Sequence, residues 1–110
     1  MRSMLESEPD LLVVDEAKDG QEAVELCRKH RPDLVVMDVR MPKMNGFEAT
    51  RLIKEELCAT KVLIMSAYDN LWCSTEAMRA GAEGYVLKLA PLKEILEAVR
   101  GALKGEPQYL

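Results

Sequence analysis

The sequence has no apolar run long enough to cross a bilayer. Its longest are of the length of Val62–Met65, against the ~20 residues that a membrane helix needs. It has no excess of base either. Nineteen acids against fifteen bases leave a formal charge of −4 and a pI near 5.1, which argues against a whole-domain nucleic-acid footprint and against a polybasic membrane patch. Met1–Asp10 contain no apolar stretch of signal-peptide length before the acids begin. Cysteine is sparse: Cys27, Cys58 and Cys73 are odd in number and form no CxxC pair, so they read as free thiols of a reducing compartment. No internal repeat or low-complexity tract interrupts the chain. Together these absences predict a small cytoplasmic domain without a membrane segment.

What the sequence does contain suits a single core. Its 110 residues match one domain, with 48% hydrophobic and 31% charged residues. Short β-branched runs at Leu11–Val14, Leu34–Met37, Val62–Met65 and Tyr85–Leu87 lack polar alternation, as strands buried on both faces do. Between them lie segments of helical period. Gln21–His30 places Ala23, Val24 and Cys27 on one stripe, with Asp19 as N-cap. Phe47–Leu57 segregates Phe47, Thr50, Leu52, Ile53 and Leu57 from Glu48, Arg51, Lys54 and Glu55. A third helix is predicted from about Asn70 to Ala80, stopped by Gly81 at C′. A fourth opens with Pro91 at its first position and turns Ile95, Leu96, Val99 and Leu103 inward until Gly105-Glu106-Pro107 breaks it. Strands alternating with helices predict an α/β, doubly wound parallel sheet. The chain opens oddly, because Arg2–Glu8 reads as the end of a helix stopped by Pro9. An element upstream is expected to be missing.

In open α/β sheets function collects at the carboxyl ends of strands. Those ends carry Asp15-Glu16, Asp38, Ser66-Ala67 and Lys88. Singly, each is an ordinary turn or surface residue. An acid, a hydroxyl and an ammonium on three successive strands form a constellation. After Asp38, Pro42 fixes the loop backbone, and Asn45-Gly46 makes a turn pair before the next helix. The seven methionines are core filler, and His30 is a favourable charge at a helix C-terminus. Trp72 is either a core anchor or a surface residue of the third helix.

Val35-Val-Met-Asp38-Val-Arg-Met-Pro42-Lys-Met-Asn-Gly46 resembles the phosphoacceptor strand and loop of two-component response-regulator receiver domains. Met65-Ser66-Ala67 and Gly81-Ala-Glu-Gly84-Tyr85-Val-Leu-Lys88 resemble that family's next two strand ends. The resemblance covers essentially the whole chain and implies a flavodoxin-like topology lacking its first strand. Residues 1–104 would be an N-terminally incomplete receiver domain, with 105–110 the start of an interdomain linker. It further implies that Asp38 accepts phosphate from a sensor histidine kinase, that Lys88, Ser66 and Ala67 contact the phosphoryl group, and that Ser66 and Tyr85 form the switch. Pro42 and Gly46 would shape the loop. Mg²⁺ would be held by Asp38, the backbone carbonyl of Arg40 and acids of the first strand, a pair this chain does not supply, since Leu11–Val14 matches the second strand. A homodimer is expected to complete the sheet.

The family usually places proline directly after the lysine, in a cis bond. Here Lys88-Leu89-Ala90-Pro91 resembles the branch that feeds a helix-turn-helix (LuxR/NarL-like) output domain, and the Lys88–Leu89 isomer stays open. DNA would be reached only through that output domain, which is absent. The module is read as a signalling domain rather than a turnover enzyme. A phosphatase of the haloacid-dehalogenase class needs an acid where Arg40 stands, and an FMN-binding flavodoxin needs a phosphate loop that is not here. A receiver-like interaction or dimerisation module that is never phosphorylated is the remaining alternative.

Overall fold

The computed structural model describes residues 19–39, 45–67 and 71–106. Within them the chain runs α1 (Gly20–His30), β1 (Leu34–Asp38), α2 (Gly46–Glu56), β2 (Lys61–Ser66), α3 (Leu71–Ala80), β3 (Gly84–Leu87) and α4 (Leu92–Leu103). The expected run at Leu11–Val14, the helical opening at Arg2–Glu8 and the acids Asp15 and Glu16 lie outside the described residues, as do Arg40, Pro42 and the proposed linker beyond Glu106.

The described strands form one parallel sheet in the order β1-β2-β3. Leu34 pairs with Lys61 and Asp38 with Met65, while Leu63 pairs with Gly84 and Ser66 with Leu87. Side-chain alternation divides this sheet between two cores. Val35, Met37, Val39, Val62, Ile64 and Tyr85 pack with Ala23, Val24 and Cys27 of α1, Phe47, Ala49 and Ile53 of α2, and Cys73 and Ala77 of α3. Leu34, Val36, Leu63, Met65 and Val86 pack on the other side against Ile95, Ala98, Val99 and Ala102 of α4. The α/β class with helices on both faces is therefore observed.

Helix ends follow local chemistry. The Asp19 carboxylate accepts from the Glu22 amide at 2.8 Å. Asn45 accepts from the Glu48 amide at 2.9 Å, and its amide donates to the Glu48 carboxylate at 3.0 Å, which stabilises a first turn by about 1 kcal/mol. Gly81, at φ +92°, closes α3: its amide donates to Met78 O, and that of Ala82 to Ala77 O, the bond pair of a Schellman end. Gly105 closes α4 in the same way, with its own amide on Ala102 O and that of Glu106 on Gly101 O.

Two helical expectations shift. Pro91 is the N-cap of α4, one residue before the helix, because its extended backbone (ψ 145°) turns the chain into the first turn. Leu103 is 36% exposed; Ala98 and Ala102 fill the stripe under the last turns instead, where α4 lies close to the sheet.

Candidate functional site

Three strand ends meet at the carboxyl edge. Asp38 closes β1, Ser66 closes the central β2, and Lys88 follows β3. The ladder carries on past the strands to align them: the Val39 amide donates to Met65 O at 3.3 Å and the Lys88 amide to Ser66 O at 2.8 Å. Asp38 and Lys88, fifty residues apart in sequence, meet across β2, where the Lys88 ammonium donates to Asp38 Oδ2. Both side chains keep partial solvent access, 39% for Lys88 and 34% for Asp38. Ser66 is buried and Ala67, the next residue, is exposed. Tyr85 pairs with Ile64, two residues before Ser66, so Ser66 and Tyr85 share a sheet face.

Gly46 brings α2 against this edge. Its amide donates to Val39 O at 3.1 Å, and a Cβ there would overlap the carbonyl oxygen of Asp38 and stand 2.9 Å from Val39 Cα. The turn pair Asn45-Gly46 thus does two jobs: Asn45 caps the helix, and Gly46 permits the approach of helix to strand. Phe47 then enters the core and meets Trp72 edge-on, with ring centroids 6.0 Å apart and planes at 88°. Trp72 is a surface residue, 65% exposed. Spacing alone could not choose between its two readings, because the partner ring belongs to another helix.

The opposite edge of the sheet holds a second ion pair that spacing did not reveal. Lys54 Nζ donates to Glu83 Oε2 at 2.9 Å and to Thr60 O at 3.0 Å, while Glu83 Oε1 accepts from the Val62 amide at 2.7 Å. This locks α2 to the starts of β2 and β3. The Lys88–Leu89 peptide is trans, as are the other described bonds.

Asp38 is a hard oxygen donor of the kind Mg²⁺ prefers, yet no cluster of three or more His, Cys, Asp or Glu that could hold an ion occurs among the described residues. These residues by themselves do not fit a divalent ion. No helix among them is long and apolar enough to cross a membrane.

The response regulator receiver domain model matches residues 1–100. The transcriptional regulatory protein DegU of Brevibacillus brevis is 39% identical over 105 residues, covering 96% of this chain and 44% of that protein. The chain therefore spans about half the length of such relatives. The receiver domain of the putative response regulator NarL from Mycobacterium tuberculosis superposes with a TM-score of 0.90 at 37% identity, over 96% of this chain and 85% of that one. A LuxR-family response regulator from Aurantimonas sp. SI85-9A1 gives 0.92 at 37% identity, over 99% and 77%. The CheX–CheY–BeF3–Mg complex of Borrelia burgdorferi gives 0.83 at 28% identity, over 91% and 75%. With this sheet, these strand ends and these relatives, the chain belongs to the response regulator receiver domain family, alongside its LuxR- and NarL-type members.

Proposed function

We propose that Asp38 accepts a phosphoryl group from a phosphohistidine on a sensor histidine kinase. A carboxylate oxygen attacks phosphorus, the P–N bond breaks, the imidazole leaves with the bonding pair, and an acyl phosphate remains on Asp38. The observation that carries this reading is the Lys88–Asp38 pair at the carboxyl edge, with Ser66 on the strand between them. The new group brings roughly −1.5 to −2 charges and strong acceptor oxygens. Lys88 offsets part of that charge, the Ser66 hydroxyl donates to a phosphoryl oxygen, and Ala67 leaves the group room.

Once drawn outward, Ser66 vacates space on the face it shares with Tyr85. Tyr85 fills that space and the surface made by α3 and α4 changes, a local charge event biasing a two-state element. Gly46 keeps α2 close to the end of β1, and Pro42, by its fixed φ, is assigned the shaping of the loop after Asp38. The Asp38 carboxylate and the Arg40 carbonyl would contribute to holding Mg²⁺, which when bound neutralises phosphoryl charge; the Mg²⁺ named in the Borrelia burgdorferi complex supports this. The module is an acceptor rather than a turnover enzyme, and its product is the changed surface.

Residues 1–104 form the receiver domain in this reading and 105–110 begin a linker to an output domain that contacts DNA, in keeping with regulatory relatives about twice as long. Three free thiols suit the reducing cytoplasm. A homodimer that completes the sheet belongs to this reading, and light scattering at micromolar concentration tests it; a monomer would remove it.

Incubation with acetyl phosphate and Mg²⁺, followed by intact mass, tests the acceptor role. Slow labelling by one phosphoryl group is expected on the parent chain, since the described residues do not complete a site for the ion, and none on Asp38→Asn. Equal labelling of both would refute the assignment, and no labelling of the parent would favour an interaction module that is never phosphorylated.

A further inference from the structure

The first turn of α3 exposes Leu71 by 81% and Trp72 by 65% and carries no acid. Adjacent apolar side chains of this size at one helix start make a candidate contact surface. Trp72 is also tied to the acceptor site. Its indole packs edge-on against Phe47, which is 6% exposed and directly follows Gly46, the residue packed on the Asp38 carbonyl. Two consecutive residues therefore separate the indole from the acceptor strand.

We infer that Trp72, flanked by Leu71, is a specificity contact for the phosphohistidine-bearing protein that donates to Asp38. The inference rests on the acceptor reading above. Transfer requires the donor histidine to come within bonding distance of the Asp38 carboxylate, so a folded donor must cover the carboxyl edge of the sheet. A standard footprint of about 800 Å² per partner extends about 16 Å from its centre, and α3 starts from the end of β2 that carries Ser66, so its first turn belongs to that edge. A tryptophan has few rotatable bonds and here leans edge-on against a buried phenylalanine, and tryptophan is a frequent anchor of interfaces.

The chain's own continuation is a poorer occupant. After α4, Gly105 lies against Lys61 at the start of β2, so the backbone leaves at the opposite edge of the sheet. The donor's surface opposite Trp72 is expected to be an apolar pocket beside its phosphohistidine.

The test compares two phosphodonors. A panel of phosphorylated sensor-kinase catalytic cores is screened for the fastest donor to the parent chain, and that core and acetyl phosphate are then used on each variant. Trp72→Ala should lower the kcat/KM of transfer from the kinase core at least tenfold relative to labelling by acetyl phosphate. Trp72→Phe should recover most of that loss, and Met78→Ala, exposed two turns further along α3, should leave the ratio unchanged. An equal fall with both donors would make Trp72 a structural prop for Phe47 and overturn the inference. So would an unchanged ratio. A parent chain labelled by neither donor would remove the acceptor reading itself, and this inference with it.

Discussion

Replacing Gly46 by alanine sets two opposing effects against each other. Alanine is the better helix former by about 0.8–1.0 kcal/mol in a helix interior, and less at the first helical position, where Gly46 stands. Against this, the new Cβ meets backbone on the acceptor strand, overlapping the Asp38 carbonyl and lying 2.9 Å from Val39 Cα. Backbone atoms cannot rotate away as a side chain tip can. Relief requires α2 to back off from β1, which stretches the 3.1 Å bond from the Gly46 amide to Val39 O and loosens Phe47 in the core. Overpacking of this kind costs about 1–3 kcal/mol, so the clash outweighs the propensity gain and the net loss is about 1–2 kcal/mol. For a domain of this size that lowers Tm by roughly 4–9 °C. Urea unfolding should show a lower midpoint at unchanged slope, and labelling of Asp38 by acetyl phosphate should slow because the backbone of Asp38 itself is displaced. A Gly46→Ala chain as stable as its parent would refute the close-approach argument.

Two further perturbations report on other parts of the molecule. Lys54→Met removes the partner of Glu83, which with Lys54 is only 18% exposed and also accepts from the Val62 amide; urea unfolding should register a loss of about 1–3 kcal/mol, and a neutral result would mean that the pair contributes nothing net. Cys58 is exposed while Cys27 and Cys73 are buried, so a thiol reagent should label one cysteine quickly in the native chain and all three in urea. Burial pushes the Cys27 thiol from 9.0 up to about 11. A raised folded-state value means that its contribution is full below 9.0 and is lost as pH climbs toward 11, on the order of 2 kcal/mol; Cys27→Ala should flatten that alkaline decline, and an unchanged pH profile would count against it.

Much of this protein was legible along the chain because the forces involved are local. Asp19, Asn45 and Gly81 mark helix ends through bonds to residues a few positions away, and a side chain three residues from an amide has the same reach in any fold. The runs at Leu34, Val62 and Tyr85 became strands because unbroken apolar stretches suit a parallel sheet covered on both faces. Asp38, Ser66 and Lys88 could be picked out as strand ends for the same reason. Parallel strands separated by helices must all point the same way, so their carboxyl ends must share an edge.

Tertiary structure decided whatever depends on distances between elements remote in sequence. The Lys88–Asp38 bond spans fifty residues and exists because hydrogen-bond register across β2 sets those ends side by side. The Lys54–Glu83 lock lies at the opposite edge for the same reason. Gly46 read as a turn residue, and only the packing of α2 on β1 turned it into a steric requirement. Ala102 and Leu103 are consecutive in α4 and so project in different directions; the small methyl is buried against the sheet and the leucine is partly exposed. Trp72 has two environments compatible with its helix position, and the choice between them fell to Phe47, a ring twenty-five residues earlier on another helix.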